Sequence, residues 1–180
     1  MVALNSKFDI LRGWPNSSAV QEDFVIPSAQ DDANAAHHKF YQGTWVTLAD
    51  SNDGSMVCDV AVANVDSSAL KSCYLIIEGR DDYSSQFAKR VTCLLGGGYM
   101  VRLPQQGVTS SGSSYDILST DSTGFVVGQR VKVVNGVLHP VADGDIDDNA
   151  ALDHVAARAA VVGHVLATND ASNTIDILVF

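Results

Sequence analysis

"RVTCLLGGGYMVRLP", Arg90 to Pro104, sets three consecutive glycines between two apolar runs, and its reading decides what fold the chain can take. A phosphate-cradling loop has to open a helix, because the helix N-terminus supplies the N–H groups and the positive dipole end that hold phosphate. Here the glycines lead into Tyr99, Met100, Val101, Arg102, Leu103 and Pro104, a strand-like run closed by proline. The Lys-Ser or Lys-Thr of a phosphate loop and the spaced glycines of a dinucleotide fingerprint are both missing. Glycine supplies the positive φ of a tight turn, so the segment is expected to form a β-hairpin and not a nucleotide site.

Outward from that point the chain reads as short strands at turn-limited spacing. "GTWVTLAD" and "MVCDVAVANV" alternate apolar and polar residues around the turn "SNDG" at 51 to 54, and "CYLIIEG" is an apolar run ended by Gly79. Beyond the polar stretch "PQQGVTSSGSS" come "YDILST" and "GFVVGQRVKVVNGVLHPV", where Asn135-Gly136 between two alternating runs is the strongest hairpin signal in the chain. "VVGHVLATNDASNTIDILVF" adds two strands around a polar turn. Regular short strands with Gly, Asn and Asp between them predict a mainly β fold, a compact antiparallel β-barrel or sandwich over residues 43–180. Asp147 to Ala160, "DDNAALDHVAARAA", is alanine-rich with Asp148 as a candidate cap, so at most one short helix is expected there.

Residues 1–42 differ in character. Pro15, Pro27 and the polar "QDDANAA" interrupt isolated apolar groups with no sustained period, which predicts an extended N-terminal arm. Phe8, Ile10, Leu11, Trp14, Phe24, Val25 and Ile26 are too apolar for a free tail. The arm is therefore expected to lie on a surface, either of its own barrel or of a neighbouring subunit.

A chain of 180 residues is long enough to bury a core as one domain. Its formal net charge of −10 opposes nucleic acid and anionic membranes as partners, and no apolar run is long enough for a membrane span. Cys58, Cys73 and Cys93 are odd in number and sit in strand-like runs, as small buried hydrophobes in a reducing compartment rather than as disulfides or zinc ligands. The first eighteen residues lack the basic, apolar and small-residue regions of a secretory leader, so none is expected; Asn16-Ser17-Ser18 is then a chance glycosylation match.

No stretch supplies a catalytic or metal-binding constellation, and neither a metal nor a cofactor is expected. "DGDIDDNAALDH" places Asp143, Asp145 and Asp147 at alternate positions like a calcium loop, but Asp148 stands where the sharp turn needs glycine and His154 where a bidentate glutamate belongs. The adjacent pair His37-His38 lacks the spacing of ligands on one face, and His139, His154 and His164 are scattered. In "GVTSSGSS" the glycines are five apart and a strand follows, unlike a nucleophile elbow. Lys89-Arg90 reads as a solvated strand edge or as a contact for an acidic surface.

The succession "GTWVTLAD", "GSMVCDVAVAN", "YLIIEGRDD", "RVTCLLGGGYMVRL", "YDILSTDSTGFVVGQRVKVVNGVLHPV" and "VVGHVLATNDASNTIDILVF" resembles small tailed-bacteriophage capsid decoration, or cement, proteins. In that family a compact β-barrel or β-tulip carries a G-x-V-L strand and a last strand near the C-terminus; Gly163-His164-Val165-Leu166 and Ile175 to Val179 would fill those places. The resemblance implies a structural virion protein, not an enzyme. Made in the bacterial host cytoplasm, it would bind the outer capsid surface and reinforce the shell by non-covalent contacts with the major capsid protein and with neighbouring copies of itself, as in a homotrimer. Phe8, Trp14, Phe24 and Ile26 are then the expected arm anchors, since buried aromatic and aliphatic groups dominate interface energy, with Lys89 and Arg90 as charge contacts. Departures from the smallest members are the long arm and the acidic insertion at 143 to 153. Two other classes stay open: a tail-associated or carbohydrate-binding β module using Trp14, Tyr41 and Trp45, and a trimeric β-barrel hydrolase with sites between subunits.

Overall fold

The computed structural model describes residues 9–13, 20–26, 40–49, 57–60, 73–79, 90–95, 98–142 and 161–180. The fold is mainly β, and its strands run in chain order as β1 (Asp9–Gly13), β2 (Val20–Val25), β3 (Trp45–Ala49), β4 (Val57–Val60), β5 (Tyr74–Glu78), β6 (Arg90–Leu95), β7 (Tyr99–Pro104), β8 (Gln106–Val108), β9 (Ser114–Asp116), β10 (Arg130–Val134), β11 (Val137–Pro140), β12 (Val161–Asn169) and β13 (Thr174–Val179). They divide into a closed barrel in the order β2-β4-β3-β5-β6, a six-stranded antiparallel sheet in the order β1-β7-β13-β12-β10-β11, and the small β8-β9 hairpin. Among the described residues the helical element is a single 3-10 turn, Ser122–Gly124. The alanine-rich segment 147–160 lies outside the described residues, as do His37, His38, His154 and the acidic insertion.

The glycine triad is not a hairpin turn, contrary to the expectation from sequence. Both edges of β6 are taken, by β2 and β5, and both edges of β7 by β1 and β13, so the two runs that flank the glycines lie in different sheets. The chain passes from barrel to sheet between β6 and β7. Gly98 takes φ 84, a region that costs an ordinary side chain strain, and its N–H donates to the Val179 carbonyl at 2.7 Å, tying the crossing to the end of β13. Asn135-Gly136, by contrast, turns the β10-β11 hairpin as expected: both residues have positive φ, 52 and 80, the pattern of a type I′ turn whose twist matches its strands.

The described part of the N-terminal segment is built into both bodies. β1 pairs antiparallel with β7, and β2 closes the barrel, antiparallel to β6 and parallel to β4. Residues 20–25 are therefore a wall of the barrel rather than an arm laid over it.

Alternation explains how one chain feeds two cores. Phe24, Ile26, Phe40, Val46, Ile76, Val91 and Cys93 fill the barrel interior. Their neighbours Trp45, Leu75, Ile77 and Leu94 join Tyr99, Val101, Leu103, Val131, Val133, Val165, Ile175 and Ile177 in the larger core against the six-stranded sheet. Strand residues alternate between faces, so β5 reads as an unbroken apolar run because each face meets a different core. Trp45 is the bulkiest side chain at this junction; it is fully buried, and its backbone N–H donates to the Gly136 carbonyl in the β10-β11 turn at 3.0 Å.

Candidate interaction surface

Phe24 and Ile26, expected as anchors for a partner, are each 1% exposed inside the barrel. Burying them offsets part of the entropy cost of ordering β2, and it leaves no side-chain surface for another molecule. That expectation is corrected for these two residues. Phe8, Trp14 and Lys89 lie outside the described residues. Arg90 opens β6, opposite Val25, with its side chain exposed. Of the aromatics considered for sugar stacking, Trp45 is buried, and Tyr41 is half-buried and stacked on Tyr115 at 4.8 Å, with the Tyr115 hydroxyl donating to the Gln42 carbonyl. A sugar-stacking ring has to be free on one face, which Trp45 is not.

"GVTSSGSS" forms the β8-β9 hairpin, in which Thr109 holds Ser113 through both its backbone and its hydroxyl. Its serines are solvent-facing, in the turn and at the start of β9. Among the described residues no group of three or more His, Cys, Asp or Glu converges where a metal ion would sit.

What stands out instead is the loop Gly124 to Gln129. The sequence reads as a continuation of the following strand, but β10 begins only at Arg130, and Val126 and Val127 point outward at 65% and 61% exposure. The loop is pinned on both sides. Asp121 caps the 3-10 turn by accepting from the Thr123 N–H and hydroxyl, while Ser122 donates from its N–H to Asn173 Oδ1 and from its hydroxyl to Asp170 Oδ1. Phe125 is buried beneath. The Gln129 side chain accepts from the Val126 N–H at 3.0 Å and donates to the Val141 carbonyl, and the Gly128 N–H donates to the Val165 carbonyl at 2.8 Å.

That last bond lays the loop beside a bulge in β12, where the register with β13 shifts between Val165 and Ala167 and Leu166 is turned partly to solvent. Bulges re-aim side chains in this way. Two residues back along β12, the His164 ring meets the Phe180 ring edge-on at 4.4 Å, and Phe180 is 53% exposed. Val126 and Val127 thus stand exposed on a loop held against β12 beside Leu166, while Phe180 is exposed farther along, beside Val162 at the start of β12. Single exposed apolar residues such as Leu48 and Val108 are ordinary, whereas a held group of them marks a contact surface. Sequence reasoning missed it because valine pairs score as strand; the available signal was the bracketing of Phe-Val-Val by Gly124 and Gly128.

Comparison with protein-family models, with curated proteins and with solved structures found no match to this chain.

Proposed function

We propose that this chain is a structural virion protein, a capsid decoration protein that binds the outer surface of a tailed-phage head and reinforces the shell through non-covalent contacts with the major capsid protein. The observation that carries the reading is the C-terminal hairpin. Gly163-His164-Val165-Leu166 lies on β12 and Ile175 to Val179 on β13, paired in register with Gly163 opposite Val179 and Val165 opposite Ile177. These segments fill two of the places in the strand succession that resembles decoration proteins. A net charge of −10 supports it, since such a protein has to stay soluble before assembly and to avoid the packaged nucleic acid.

Differential scanning calorimetry of empty phage heads lacking this chain, with and without a saturating amount of it, tests the reading. A decoration protein raises the temperature at which the shell comes apart, because a ligand that binds only the assembled state stabilises it by mass action. An unchanged shell transition would count against it.

A further inference from the structure

We propose that Val126, Val127 and Leu166 form the contact that seats the protein on its partner, and that the partner surface is an apolar depression bordered by lysine or arginine side chains. The proposal rests on the decoration reading and assigns the face used. Three observations carry it. Val126 and Val127 are neighbours in the chain and both largely exposed, and hydrogen bonds from the Gly128 N–H to the Val165 carbonyl and from the Val126 N–H to the Gln129 side chain fix the loop beside the Leu166 bulge, so little ordering entropy is lost on contact. Asp121 and Asp170, both exposed, stand at the foot of the loop through their bonds to Thr123 and Ser122, with Arg130 on the other side of Gln129. The local balance is acidic, and so is the chain as a whole at −10.

That charge selects the occupant. In an isologous contact between two copies, each carboxylate at the rim approaches a second strongly acidic molecule, which works against association. A basic rim meets Asp121 and Asp170 with opposite charge, speeds encounter and fixes orientation, while the apolar centre supplies the affinity.

The test is a pelleting titration of three full-length forms on empty heads that lack this chain: wild type, Val126→Asp/Val127→Asp, and Asp121→Asn/Asp170→Asn. The valine side chains are solvent-facing and asparagine keeps the acceptor oxygens, so equal thermal melting of all three confirms that the fold is kept. The expected result is binding weakened about tenfold or more by the double aspartate and severalfold by the double asparagine at low salt, the second effect fading as salt is raised. Wild type and double aspartate pelleting alike would overturn the assignment of this face while leaving the decoration reading standing. Failure of wild type itself to pellet would remove the decoration reading and the assignment with it. Sedimentation velocity adds a further outcome: a wild-type oligomer that the double aspartate converts to monomer would make a second copy the occupant and overturn the basic-partner proposal.

Discussion

Cys73 shows how burial sets the chemistry of a single residue. It precedes β5 and packs against the larger core, where desolvation disfavours the thiolate and pushes the thiol from its ordinary 9.0 up to about 11. At about pH 8 almost none of it is ionised, so alkylation of the native protein is expected to run far slower than that of the urea-unfolded chain, and equal rates would contradict the burial. The sign of the linked stability effect follows. The folded pKa lies above the unfolded one, so the contribution is fully present below 9.0 and is lost as pH rises toward about 11. Urea midpoints are expected to fall across that window less in Cys73→Ala than in the parent. The sequence placed this cysteine, with Cys93, among small buried hydrophobes, and for both the core explains why. For Phe24 and Ile26 it pointed to a partner instead, because two apolar groups in a proline-flanked, aperiodic segment carry no sign of which surface they cover.

At the level of elements, local turn chemistry was legible and strand partnership was not. Asn135-Gly136 determines its hairpin within four residues, since only a turn with positive φ at both positions matches the twist of β10 and β11. Gly136→Ala forces a Cβ into that conformation, 3.2 Å from the Trp45 carbonyl oxygen, and is expected to cost about 1–2 kcal/mol in chemical denaturation; a neutral result would remove the turn from the account. The glycine triad also carries local turn signals, yet β6 and β7 do not form the hairpin they predict. The edges of β6 and β7 are taken by β5, the preceding strand, and by β2, β1 and β13, which come from distant parts of the chain. The exposed loop was hidden for a related reason: valine favours strands wherever it falls, while in the fold pairing with β12 starts only with the Gly128 N–H donating to the Val165 carbonyl and the Val165 N–H donating to the Gln129 carbonyl, leaving Val126 and Val127 in no strand.

At the scale of the whole molecule, the mainly β class followed from turn spacing, but the division into barrel and sheet follows from which face each apolar run presents. Trp45 joins the two bodies, with a buried indole N–H that has no hydrogen-bond partner. Trp45→Phe removes that unsatisfied donor along with part of the ring and is expected to be mild, whereas Trp45→Ala leaves a cavity between barrel and sheet and is expected to cost about 3–5 kcal/mol. Comparable losses from the two would mean that Trp45 does not join the cores. β1 pairs in the sheet and β2 in the barrel, so deleting residues 1–42 removes a strand from each, and tests of function have to use the full chain. On the function proposed above, this fold serves as a surface component of a phage head. Its most direct test is sedimentation of the full-length protein with empty heads that lack it, followed as the protein is titrated. Saturable co-pelleting at a fixed ratio to the major capsid protein is expected; protein that stays in the supernatant at every concentration would contradict the decoration role.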